Sequence, residues 1–151
     1  MIRHATKKDV NELTLLVQSF IRDSVYGKWP FNTGRTAYIL ENIIGDELVF
    51  AQVVEIDNKI VGFFIGQTQT NEWVDCEIAV DLGFYIKEEY RKGTWGVRLI
   101  KNFEAWAKTN SDLIKLSVFA GVANDRTSTL LNKMQFLSAG TIHKKELAQC
   151  V

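Results

Sequence analysis

The chain has 151 residues, 46% hydrophobic and 24% charged, which suits one globular domain with one core and excludes a disordered chain. Lys plus Arg balance Asp plus Glu at 18 each, which argues against a nucleic-acid binder that works by a broad basic face and leaves room for a local basic groove. No apolar run is long enough to span a bilayer and no signal-peptide pattern is present, so a cytoplasmic protein is expected.

Ile2 to Ala5 read as a short first strand. Thr6 to Asp9 resembles a capping box with Asp in place of the usual Glu, and Val10, Leu13, Val17, Phe20 and Ile21 then form a helical stripe to about residue 22. Residues 24–32 are irregular and aromatic, with Tyr26, Trp29, Phe31 and the lone proline, Pro30. A second helix is expected over 33–44, stopped by Gly45. Residues 47–56 and 59–67 read as two strands of a hairpin turning at Asp57-Asn58. The strand expected over 73–86 exceeds the usual length, which calls for a bulge or bend. Simple alternation puts Asp75, Glu77, Ala79, Asp81, Gly83 and Tyr85 on one face, and Cys76, Ile78, Val80, Leu82, Phe84 and Ile86 on the other. After a basic loop, a helix carries Leu99, Ile100, Phe103, Trp106 and Ala107 at helical spacing and ends near Asn110. A strand over 114–118, a helix over 125–134 and a last strand over 136–143 complete the order β-α-α-β-β-β-α-β-α-β. That order predicts a mixed α/β sheet with helices on its faces. Leu99, Phe103, Trp106, Leu116, Val118 and Phe136 are expected to share one core.

The segment around residues 91–96 carries the chemistry. Arg91 and Lys92 bring charge, Gly93 and Gly96 allow close approach to the main chain, and Thr94 and Trp95 lead into a helix. The first turn of a helix has unpaired N–H groups and partial positive charge, so a strand, a basic glycine loop and a helix make an anion cradle; the competing reading is an ordinary turn. The Gly-Lys-Ser/Thr run of a nucleoside triphosphate loop and the three-glycine dinucleotide fingerprint are both absent. Cys76 and Cys150 offer neither a disulfide framework nor a metal-ligand spacing, and His4 and His143 stand near opposite ends, so no metal is expected.

Arg91-x-x-Thr94-x-Gly96, directly after a strand, resembles the pyrophosphate loop of the GNAT superfamily of acyl-CoA-dependent N-acetyltransferases, whose pattern is Gln/Arg-x-x-Gly-x-Gly/Ala. Thr94 stands where glycine is usual. Gly121-x-x-Asn124-x-Arg126-Thr127 through Phe136 resembles the family's Asn-x-x-Ala-x-x-Leu-Tyr-x-x-x-Gly-Phe segment, and Gly140-Thr141 to Lys145-Glu146-Leu147 is similar to phage-type and bacterial members. Two departures stand out: the family's tyrosine falls at Leu131, and its glycine before the final Phe is Gln135.

The resemblance implies a GNAT-like sheet of six to seven strands over a single domain, residues 1–151. It implies acetyl-CoA as co-substrate, held by Phe84, Tyr85, Ile86, Arg91, Lys92, Gly93, Thr94, Trp95, Gly96 and Asn124. The acceptor is then an amine on a small molecule or a protein, with no nucleic-acid or membrane partner. A homodimer is a possible assembly, and the cytoplasm is a host's if the chain is phage-encoded. A backbone N–H at residues 84–86 would polarise the carbonyl. Asp81 leads as general base, with Glu77 acting through a water as the alternative; the competing reading makes both solvated strand carboxylates. Tyr85 and Ser128 are candidate acids. Tyr26, Trp29 and Phe31 either line the acceptor pocket or pack the long connection onto the core. A CoA-binding module with weak or no catalysis is the rival reading, because leucine at 131 cannot donate a proton.

Overall fold

The structure, a computed structural model, describes residues 1–118 and 120–147. Five strands form one mixed sheet in the order β1-β2-β3-β4-β5: β1 (Ile2–His4), β2 (Val49–Ile56), β3 (Lys59–Thr70), β4 (Glu77–Ile86) and β5 (Leu113–Lys115). The first four are antiparallel to their neighbours, and β5 runs parallel to β4. The helices are α1 (Val10–Asp23), α2 (Thr33–Ile43), α3 (Trp95–Asn110) and α4 (Asn124–Lys133). The element order follows the expected one through α4. The expectation of six to seven strands is corrected to five among the described residues, because residues 136–147 form no strand. The fourth strand begins at Glu77 rather than Trp73, since Asn71 Oδ1 accepts from the Trp73 and Val74 amides and folds that stretch into a turn.

Two apolar layers sandwich the sheet. One joins Leu13 and Leu16 of α1 and Leu40 of α2 to Val53, Phe63 and Tyr85. The other joins Leu99, Ile100 and Phe103 of α3 and Leu131 of α4 to Phe50, Phe64, Ala79 and Ile86. Leu99 and Phe103 are fully buried there, while Trp106, Leu116, Val118 and Phe136 are half-buried against the same layer. Asp57 and Asn58 adopt φ of 50° and 59°, as a two-residue type I′ hairpin requires.

A bulge in β4 changes the face assignment. Gly83 pairs with Ile65 and Asp81 with Gly66, so Leu82 is the extra residue and stands exposed. Ala79 and Asp81 therefore share the α3 face with Phe84 and Ile86, whereas Tyr85 packs in the layer under α1. Simple alternation had grouped Asp81 with Tyr85. The inserted residue reverses the parity between them.

Arg3 locks the start of the chain. Its guanidinium forks onto Asp9, with Nη1 donating to Oδ2 and Nη2 to Oδ1 at 2.8 Å each, while Nε donates to Glu55 of β2. Asp9 Oδ2 also accepts from the Thr6 N–H at 2.7 Å, closing the expected capping box. The Arg3 hydrogen bonds hold the Asp9 carboxyl at about 2, below the usual 3.8. A depressed carboxyl stabilises the fold above its ordinary range and loses that contribution as pH falls towards the folded value. Asp9→Asn is expected to remove about 2 kcal/mol at pH 7 and to flatten the fall in stability between pH 4 and 2, read from denaturant titrations at each pH.

Helix α4 ends in a Schellman motif. Phe136 N–H donates to Leu131 O and Gln135 N–H to Asn132 O, with Gln135 at φ of 68°. That left-handed position favours glycine. Gln135→Gly is expected to stabilise the protein by about 0.5–1 kcal/mol, read as a rise of roughly 2 °C in Tm.

Candidate active site

The site follows from an early end to one ladder. β4 and β5 pair only at Ile78 with Leu113, Ala79 with Ile114 and Val80 with Lys115. On its other edge, β4 pairs with β3 all the way to Ile86. From Asp81 to Ile86 the β5-facing edge of β4 has no strand against it among the described residues, and the two strands fork. Asp81 stands at the apex. Its Oδ1 accepts the Ser117 N–H at 2.8 Å, so a carboxylate bridges the gap that the ladder no longer spans. Burial pushes the Asp81 carboxyl above its ordinary value, and the Ser117 N–H offsets part of that shift.

Beyond the fork, β4 passes through a 3₁₀ turn (Glu88–Tyr90) and residues 91–94 into α3. Arg91 braces this passage: Nε donates to Ile86 O at 2.7 Å, and the guanidinium lies 5.3 Å from the Tyr85 ring centroid. Arg126 of α4 donates from Nη2 to Arg91 O at 2.7 Å. Gly96 brings the first turn of α3 onto the strand, since a Cβ there would lie 3.3 Å from Phe84 Cζ. No side chain caps α3 at Thr94, so the positive end of a 16-residue helix faces the loop.

Strand end, loop and α4 enclose a cleft of about 540 Å³. Among the residues expected to hold a cofactor, Phe84, Tyr85, Ile86, Arg91, Gly93 and Gly96 line it. Lys92 and Thr94 are exposed beside it, and Trp95 is half-buried with Arg98 stacked 5.0 Å from its ring. Asn124 lines a second cavity instead, with Oδ1 accepting from the Gly121 N–H at 3.1 Å. Sequence reasoning missed two cations of the cleft, Arg126 and Lys133. Their signal was their spacing, because residues seven apart lie on one helical face with Thr129 and Leu130 between.

The second cavity, about 260 Å³, lies in the fork and shares Phe84, Val122 and Thr127 with the cleft. Asp81, Tyr26 and Leu131 line it. Trp29 pairs with Tyr26 at 6.3 Å between ring centroids and carries Lys28 over its face, but neither Trp29 nor the half-buried Phe31 lines either cavity. Glu77 is not brought to the fork. It lies four residues from Asp81, about 13 Å along an extended strand, and accepts the Thr70 hydroxyl at 2.7 Å. Tyr85 donates its hydroxyl to Asp23 Oδ2 at 2.7 Å. Burial and that bond push the Tyr85 phenol up to about 12, and the same bond lowers the Asp23 carboxyl. Ser128 is exposed and lines neither cavity. Cys76 is a half-buried free thiol, and Cys150 lies outside the described residues.

The same architecture recurs in solved structures. A ribosomal-protein-alanine N-acetyltransferase from Brucella melitensis biovar Abortus 2308 superposes with a TM-score of 0.69 at 15% identity, covering 97% of this chain and 99% of that one. An aminoglycoside acetyltransferase from an uncultured soil metagenomic sample gives 0.71 at 10% identity, over 99% and 98%. A transcriptional regulator from Bacillus halodurans C-125 gives 0.76 at 17% identity, over 97% and 99%. At these identities the likeness is one of fold. No curated protein sequence matches the chain significantly. The sequence pattern of the Acetyltransferase (GNAT) family matches residues 14–136, most of the chain. With the forked strands and the loop at the start of α3 lying within that span, the chain belongs to the GNAT acetyltransferase family.

Proposed function

We propose that the protein moves an acetyl group from acetyl-CoA to a primary amine by direct attack within a ternary complex. The observation that carries this reading is the fork itself: the free edge of β4 opens onto a cleft bearing Arg91, Arg126 and Lys133 beside the start of α3. These donors suit a pyrophosphate, since Arg91, Arg126 and Lys133 line the cleft together with Gly96 and Val97 of the first turn of α3, against one acidic lining residue, Asp125. The β4 edge suits an amide-bearing arm that needs main-chain partners. When bound, acetyl-CoA supplies an activated carbonyl and a good leaving group.

The chain supplies position, polarity and a base. Holding both reactants in line lowers the barrier by up to about 7–11 kcal/mol. A main-chain N–H among Phe84, Tyr85 and Ile86 is suited to stabilise charge developing on the carbonyl oxygen. Asp81 is the base best supplied by the geometry, as its burial raises its proton affinity and it lines the cavity adjoining the cleft. Tyr85 is poorly suited as an acid, because its hydroxyl already donates to Asp23 and its proton is held tightly.

One observation favours a second reading, a CoA-binding module with little catalysis: position 131, the family's usual tyrosine, is a buried leucine. Calorimetry with CoA and thiol release from acetyl-CoA over an amine panel separate the two. Binding with thiol release supports the enzyme, and binding without it supports the module.

Arg126→Ala is expected to weaken CoA binding by about tenfold or more in calorimetry, the usual loss for a charged hydrogen-bonding partner. Asp81→Asn keeps an oxygen acceptor for the Ser117 N–H while removing the base. It is expected to lower kcat by about 10²–10⁴-fold with CoA affinity retained, and the parent's low-pH limb should lie above the ordinary carboxylate range because burial raises the Asp81 carboxyl. A fully active Asp81→Asn enzyme alongside an impaired Asp81→Ala enzyme would assign Asp81 to bridging the strands instead.

A further inference from the structure

We infer that the acceptor is a compact primary monoamine with an apolar body, an alkyl- or arylalkylamine, seated in the fork cavity with its ammonium group on Asp81. This rests on the transfer reaction proposed above and names its substrate class.

Three observations carry the inference. First, among the described residues that line the cavity, Asp81 bears the only formal charge. Its Oδ1 is engaged by the Ser117 N–H, and no other side chain among the described residues forms an ion pair with it. One carboxylate matches one ammonium. A polyamine or aminoglycoside would bring further cations with no counter-charge in the cavity, and an unpaired buried charge is strongly disfavoured. Second, much of the wall is apolar, built from Phe20, Phe64, Ile100, Leu116 and Leu131. The leucine at 131 puts a hydrocarbon surface at the position where the family carries a phenol. Third, the volume is about 260 Å³, room for roughly eight water-sized groups, which fits a short alkyl chain or one ring. Phe84, Val122 and Thr127 line both cavities, so an amine seated here adjoins the cleft proposed for the acyl donor.

The chemistry balances with the groups named. Asp81 takes one proton from the ammonium and passes it to solvent. The freed nitrogen forms a C–N bond to the acyl carbon as the C–S bond breaks, and the second proton of the nitrogen ends on the sulfur. The products are an amide, a thiol and one proton.

The test uses the intact protein saturated with acetyl-CoA and a series from ethylamine to pentylamine, with phenethylamine, spermidine, kanamycin and a lysine-containing peptide beside it. Thiol release gives kcat/KM, and calorimetry on the CoA complex gives amine affinity without turnover. Both are expected to rise about three- to fourfold per methylene along the alkyl series, with phenethylamine among the best and the polycations at least tenfold poorer. Leu116→Gln should flatten the series with CoA affinity unchanged. A flat series in the parent protein, or a preference for spermidine, kanamycin or the peptide, overturns the inference while leaving acetyl transfer intact. Failure of CoA itself to bind overturns the transfer reading and the inference with it.

Discussion

The site depends on how β4 crosses the sheet. Strand β4 must remain paired with β3 to Ile86 while leaving β5 after Val80. The bulge at Leu82 lies within that stretch, opposite Ile65 and Gly66. Gly66 makes the arrangement sterically feasible: a Cβ there would lie 2.6 Å from Phe103 Cε2 and 2.8 Å from Val80 O. Phe103 of α3, which stacks on Phe64 at 4.5 Å, thus lies directly over the point where the strands part. A bulge strengthens twist and redirects side chains, and here it turns Asp81 onto the α3 face just before the fork.

Three contacts hold the region where the strands part. The Asp81 carboxylate takes the Ser117 N–H, Arg91 donates to the carbonyl of Ile86, and Arg126 donates to the carbonyl of Arg91. The second ties the loop between β4 and α3 to the strand end, and the third holds that loop against α4. Arg91 thereby acts as a structural brace as well as a cleft cation, a double use that a short loop permits because the guanidinium has five donors. The cleft and fork cavity follow from the same geometry, which is why they share Phe84, Val122 and Thr127.

Much of this was legible in the residues. The helical stripe from Leu99 to Ala107, the Asp57-Asn58 hairpin and the basic loop before α3 are local patterns with strong periodicity or turn chemistry, and each stands where expected. The position of the bulge was not legible, since it coincides with a close approach of Phe103 to Gly66 across sequence-distant elements, and with it went the facing of Asp81. Glu77 stood as the alternative to Asp81, acting through a water, because both are carboxylates on one face of one strand; the early end of the β4–β5 ladder separates their surroundings. Lys133 escaped notice because a helical residue enters a site by its face, and the face of α4 is set by Leu131 packing into the core. Residues 136–143 carry strand-like composition, yet strand pairing is a tertiary event that composition alone does not specify.

On the proposed reaction, the open edge of β4 and the first turn of α3 together receive an acyl-CoA. Amide hydrogen exchange with and without saturating CoA tests it most directly, because it reads main-chain protection residue by residue. Slowed exchange is expected only at amides within residues 82–86 and 93–97, with the β2–β3 hairpin unchanged. Saturating CoA that leaves both segments exchanging as in the free protein, or that protects a different face of the sheet, would contradict it.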